Sequence, residues 1–219
     1  MAEQRREFHR ELEAIEAQVV ELFATVAEDL PVATQALLSG DTEAARTLAQ
    51  RDKAIDDLYP KIEELADKEL VLQQPVASDL RFLVSVLRVV PELERSHDLV
   101  VAIARRASYI SSEDLSPRAR GFIEQMGDVA TDMWSQAVDC WRQRDKSAAA
   151  ALDERDDEMD ELHGSLMAEL GSGGMTLPVT MEMTLVARFY ERLGDHAVNI
   201  ARRVVYLAGS LPASSTNFA

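Results

Sequence analysis

Four pairs of acids spaced four residues apart, Asp52/Asp56, Glu94/Asp98, Asp156/Asp160 and Glu191/Asp195, are the part of this sequence best suited to chemistry. On an α-helix, residues at that spacing differ by about 40° and lie one turn apart, so each pair presents two carboxylates in one direction. Oxygen-only ligands suit hard or borderline cations such as Mg, Mn or Fe better than a thiolate zinc site, and several carboxylates together favour more than one ion. The spacing alone is weak, because Asp and Glu hold 39 of 219 positions and chance supplies about seven such pairs at that density. Repulsion within a pair costs only about 0.2 to 0.5 kcal/mol, which a domain absorbs easily.

Recurrence carries more information than spacing. Residues 189–203, FYERLGDHAVNIARR, align without a gap on residues 92–106, ELERSHDLVVAIARR, and agree at eight of fifteen positions. The shared residues include both acids of the pair and the double arginines Arg105-Arg106 and Arg202-Arg203. RDKAIDDL from Arg51 matches RDDEMDEL from Arg155, QPVASD from Gln74 echoes LPVTME from Leu177, and Tyr109 and Tyr206 follow their double arginines at the same distance. The chain therefore reads as two homologous units, expected at residues 1–112 and 113–219.

The elements that must position these acids are helices. Hydrophobic residues make up 47% and aromatics 5%, no strand-like alternation is present, and the fold class expected is all-α, as two tandem three-helix bundles. Glycine, proline and capping residues divide the chain into six helical segments, at about 3–38, 41–70, 75–110, 118–142, 146–170 and 178–211. Pro31 and Pro60 fall inside the first two, Asp41 is placed to cap the second, Ser116 and Pro117 to open the fourth, and GSGG at 171–174 to stop the fifth. The tail 212–219 is expected to fray. Each unit then carries one acid pair on its second helix and one on its third. If those helices lie side by side, four carboxylates converge. On a helical wheel Phe189, Leu193, His196, Ile200 and Val204 lie opposite Glu191 and Asp195, so the acids should point away from the core of their own bundle. That arrangement suits an open metal site and an ordinary solvated face equally.

Composition removes other classes. A net charge of −16 argues against nucleic acid and for cations or basic protein patches. Cys140 is alone, which rules out an intrachain disulfide and suits a reducing cytoplasm. The charged start MAEQRREFHRELEA does not resemble a secretion signal, and the most apolar stretch, from Phe82, is interrupted by Arg88, Pro91 and Glu92, so no membrane insertion is expected. No glycine-rich phosphate loop, His-Glu-x-x-His or nucleophile with an evident base occurs in the sequence, and so acidic a chain offers no basic pocket for free phosphate.

Taken together, the four acid-x-x-x-Asp motifs, QQPVASDLR at 73–81 and ERLGDHAVNIA at 191–201 resemble the PhoU family, the phosphate-transport accessory regulators of bacteria, over nearly the whole chain. The resemblance implies tandem three-helix bundles, no catalysis, and multinuclear clusters of divalent or trivalent metal ions, with Fe, Mn, Mg and Zn all open. The ligands would be Asp52, Asp56, Glu94, Asp98, Asp156, Asp160, Glu191 and Asp195. It implies a cytoplasmic negative regulator of phosphate uptake and of phosphate-starvation signalling that contacts the Pst ABC-transporter ATPase and a PhoR-type sensor histidine kinase. Homodimerisation is left open. The first half departs from the pattern, with His97, Leu99 and Ala102 where the second has Gly194, His196 and Asn199.

Plainer readings accompany several of these residues. Glu94 and His97 share the Glu-x-x-His spacing of ferritin-like iron oxidase or storage proteins, but only Asp160/His163 approximates the second motif such a site needs. His97 is placed to enter the first site. His196 falls on the apolar side of its helix, where a core or interbundle hydrogen bond is the expectation. Trp134 and Trp141 share a helical face and are expected to pack in the core. Arg105, Arg106, Arg202 and Arg203 are expected to neutralise acids or helix carbonyls.

Overall fold

The computed structural model describes residues 2–209, apart from the side chains of Ala2, Gln4, Ser112 and Ala148. Six helices account for nearly all of them: α1 Ala2–Ser39, α2 Thr42–Gln73, α3 Ala77–Arg105, α4 Pro117–Gln143, α5 Ala148–Gly171 and α6 Leu177–Leu207. The expected end of the sixth segment at Leu211 and the tail 212–219 lie outside the described residues. Among the described residues there is no strand.

The caps act as the sequence suggests. Asp41 Oδ1 accepts from the amides of Glu43 and Ala44 at 3.0 and 2.9 Å, and Ser116 Oγ accepts from Ala119 N at 3.1 Å behind Pro117. Gly40, at φ 72°, makes the left-handed turn between α1 and α2 that other residues resist. Pro31, Pro60 and Pro91 lie inside α1, α2 and α3 without ending them. The third segment is shorter than expected. α3 stops at Arg105, and the chain crosses to the second bundle through 3-10 turns at Arg106–Ser108 and Ser112–Asp114.

α1, α2 and α3 pack on one another, as do α4, α5 and α6, giving tandem three-helix bundles. α1 then lies against α4, and α3 against α6, so one apolar core runs through both bundles. Both crossings are antiparallel: Ser96 meets His196 while Arg106 meets Glu182, and Thr34 meets Gly127 while Phe23 meets Trp141. Trp134 and Trp141 are fully buried and flank Phe23, with ring centroids 6.4 and 5.7 Å away. Thr34 Oγ1 and Tyr190 OH, 2.8 Å apart, tie the bundles at a point where Gly127 admits the Thr34 side chain.

α2 and α5 pack chiefly on their own bundles, each through a seven-residue stripe, Leu48, Ile55 and Ile62 in one and Leu152, Met159 and Leu166 in the other. The stripes correspond position for position, which places the acids beside them in the same way in both halves. The QPVASD/LPVTME echo is not in that register: Gln74 precedes Glu94 by twenty residues, Leu177 precedes Glu191 by fourteen. The first stretch straddles the start of α3 and the second lies in the first turns of α6. The α2–α3 hairpin is the longer one, and its tip leaves Val71, Leu72 and Val76 exposed. No described helix is long and apolar enough to cross a membrane.

Candidate metal centres

Each acid pair flanks the buried stripe of its helix and faces the seam with the neighbouring helix, α2 with α3 and α5 with α6. The first member of every pair, Asp52, Glu94, Asp156 and Glu191, is half-buried, while the second, Asp56, Asp98, Asp160 and Asp195, is exposed. The acids thus sit at the edge of the core, not opposite it as the wheel suggested, and the edge is the same in both bundles.

The charges in each half feel one another. Glu94 is held above the usual carboxylate range by burial, then by Asp98 and Asp56, with Arg95 opposing and Asp52 adding. Asp98 is raised by burial and by Asp52 and Asp56, against His97 and Arg105. In the second half Asp156 is pushed up to about 6 by burial, Asp195, Asp160 and Glu191. Glu191 rises through burial and Asp195, opposed by Arg188 and by His163. Four carboxylates therefore come within electrostatic reach of one another at each seam.

His97 does not point outward with Glu94 and Asp98. Fully buried, it places Nδ1 2.8 Å from Asp52 Oδ1 and Nε2 3.1 Å from Asp29 Oδ2. Burial opposes its charge, but hydrogen bonds to Asp29 and Asp52 raise its pKa above the ordinary histidine value. Asp29, itself fully buried, also receives Arg51 Nη1. With both ring nitrogens engaged, His97 is a partner of one candidate ligand and not itself an open one, which also removes the outward-facing Glu-x-x-His unit.

Asp29 was not singled out in the sequence. The available signal was its recurrence, since Asp132 on α4 bonds Arg155 as Asp29 bonds Arg51, and those arginines precede Asp52 and Asp156. His163, close enough to Glu191 to influence its charge, is a further nitrogen beside the second seam.

Other side chains settle into structural roles. His196 Nδ1 meets Ser96 Oγ at 2.8 Å across the α3/α6 crossing, an interbundle hydrogen bond as expected. The double arginines divide their work: Arg106 donates to Ala102 O at 2.8 Å, pairs with Glu182 and lies over the Phe189 ring, Arg202 pairs with Asp153, and Arg203 lies over Tyr206. The buried Cys140 thiol, pushed up to about 11 by burial, donates to Asp145 O and is unreactive.

The donor set suits hard cations: all eight residues are carboxylates, and Glu191 Oε2 is buried without a hydrogen-bond partner. Among the described residues, however, no three His, Cys, Asp or Glu side chains are gathered to hold one ion as they stand. The acids form two facing rows at the seams, as mutually repelling carboxylates do, and not a closed chelate.

Comparison with known proteins identifies this frame. A family model described as the PhoU domain matches twice, over residues 19–107 and 123–204, each stretch containing one complete set of four acids. The "Phosphate-specific transport system accessory protein PhoU homolog 1" of Mycobacterium leprae is 33% identical over 216 residues, covering 97% of each chain. The Mycobacterium tuberculosis "homolog 2" is 33% identical over 212 residues, covering 95% of this chain and all of that one. The crystal structure of PhoU from Pseudomonas aeruginosa superposes with a TM-score of 0.85 at 30% identity, over 91% of this chain and 98% of that one. The phosphate transport system regulatory protein PhoU from Streptococcus pneumoniae gives the same TM-score at 26% identity, over 93% and 98%. Repeat, helix order and near-complete coverage agree: the chain belongs to the PhoU family.

Proposed function

We propose that this protein is a non-catalytic regulatory adaptor, one that restrains phosphate uptake and phosphate-starvation signalling from the cytoplasm by contacting the Pst transporter ATPase and a PhoR-type sensor histidine kinase. The relatives are named as accessory and regulatory proteins of phosphate transport, which supports the regulatory role. The two seams are proposed as metal centres, with Asp52, Asp56, Glu94 and Asp98 holding ions in the first bundle and Asp156, Asp160, Glu191 and Asp195 in the second. A bound divalent or trivalent ion supplies positive charge. The carboxylates orient toward it, their repulsion is cancelled, and the outer helices α2 and α5 are fixed on their bundles, leaving a defined surface for partners.

The observation that carries this reading is the matched placement of four acids at the same edge of both bundles, with Glu94 and Asp98 in one and Asp156 and Glu191 in the other held above the usual carboxylate range by burial and by their neighbours. A surface that was merely acidic would not repeat the half-buried and exposed members pair by pair. The test is capture of the transporter ATPase by the full chain, with and without chelator, alongside a phosphate-responsive reporter in cells lacking the protein. The wild type should bind the ATPase and silence the reporter in phosphate-rich medium. A chain with Glu191→Gln and Asp195→Asn should bind less metal and restore silencing only in part. Full silencing by a chain that binds no metal would exclude the metal from the function, and no ATPase capture under any condition would exclude the adaptor role.

A further inference from the structure

Each seam carries four acids of matching type in matching places, yet one position beneath them differs in kind. In the first half that position is His97, whose Nδ1 and Nε2 meet the carboxylates of Asp52 and Asp29. Both ring nitrogens are thus taken up by carboxylates, and Asp52 holds one of those hydrogen bonds before any ion arrives. Asp29 and His97 are fully buried, and Arg51 closes the set from outside. The first seam thus has a buried ring of its own, bonded to one of its four candidate ligands.

In the second half the corresponding residue is Gly194. A Cβ there would lie 2.6 Å from Asp156 Oδ1, so the carboxylate itself occupies the space a side chain would need. Asp132, the counterpart of Asp29, is 61% exposed and bonds Arg155 at the surface. The cation that reaches this seam is Arg188 on Glu191, and at 56% exposure it is a surface partner, easily displaced.

We infer that the two centres are unequal: His97 withholds Asp52 from the first, so metal binds the second more tightly. An ion entering the first seam must share Asp52 with the ring or detach it, and detachment leaves a buried ring nitrogen without its hydrogen-bond partner. An ion entering the second seam meets four carboxylates, one with an unpartnered buried oxygen, and His163 nearby. His97 acts here as a positioning residue, through Asp52, and the second bundle becomes the resident metal site while the first exchanges. This inference rests on the proposal that the seams bind metal.

The test is titration of the metal-free full chain with Mn²⁺, followed by calorimetry and by the EPR signal of free Mn²⁺. Two variants remove only exposed acids: Asp56→Asn with Asp98→Asn, and Asp160→Asn with Asp195→Asn. The tightest binding phase should persist in the first and weaken at least ten-fold in the second. Adding His97→Gly to the second variant, which installs the residue the other half carries, should restore a tight phase at the first seam. Equal weakening in the two carboxylate variants, or loss of the tight phase in the first of them, overturns the inequality while leaving metal binding intact. A wild-type chain that binds no Mn²⁺ removes the metal reading itself and this inference with it.

Discussion

In the first bundle Asp29 is fully buried between Arg51 and His97, whereas its counterpart Asp132 is 61% exposed and bonds Arg155 at the surface. The frame around them is shared, from the heptad stripes of α2 and α5 to the acids at the seams. Duplication preserved the scaffold and the outward chemistry, and divergence altered the layer between them. Where one half has a glycine and an exposed ion pair, the other has a buried ring in a network of two acids, a histidine and an arginine. The same difference changes what holds the nearest candidate ligand in place.

The comparison breaks most visibly at the buried acid. Asp29→Ala removes the fully buried acid that partners both His97 and Arg51 and should cost about 3 to 5 kcal/mol, whereas Asp132→Ala should cost under about 1 kcal/mol. Urea unfolding of the two variants measures the difference, and similar losses would show that the networks are equivalent. A smaller contrast, opposite in sign, lies at the first acid of each α2 and α5 pair. In metal-free protein Asp52→Ala should destabilise by about 2 kcal/mol through loss of a charge-assisted hydrogen bond. Asp156→Ala should stabilise by about 1 kcal/mol, a figure kept low because much of that seam faces water.

Proton linkage sharpens the second of these. Asp156 titrates at about 6 in the fold against 3.8 for an ordinary aspartate, raised by burial and by Asp195, Asp160 and Glu191. The folded chain then holds a proton that the unfolded chain releases, so this contribution is present below about pH 4 and is lost as pH rises to about 6. Metal-free protein should lose stability across that window, and Asp156→Ala should flatten the slope. The smallest effect is expected for Gly194→Ala. Higher helix propensity offsets the displacement of the Asp156 carboxylate, so stability should move by under about 0.5 kcal/mol while Mn²⁺ affinity at the second seam falls. Unchanged affinity would show that Asp156 takes no part.

Much of the frame was legible in the sequence because it depends on local rules. Asp41, Ser116 and Pro117 announce helix starts through groups that satisfy free amides, and the i,i+4 acids declare a shared direction. The aligned stretches around Glu94 and Glu191 revealed the duplication, since a repeat needs no three-dimensional information. Two features were not legible. The QPVASD/LPVTME echo looked equivalent because both stretches begin helices, but the longer α2–α3 hairpin shifts one against the other. The partnership of His97 with Asp29 was hidden because it joins α1 to α3 across 68 positions, and helical spacing says nothing about contacts between helices. A buried acid also carries no distinctive local pattern in a chain with 39 acids.

Crystals of the full chain soaked in Mn²⁺ and measured at the manganese absorption edge address the central claim most directly. The account expects anomalous density between α5 and α6, within bonding distance of Asp156, Asp160, Glu191 or Asp195, with weaker density between α2 and α3. Absence of density at both seams, with all eight carboxylates turned to solvent, would contradict it.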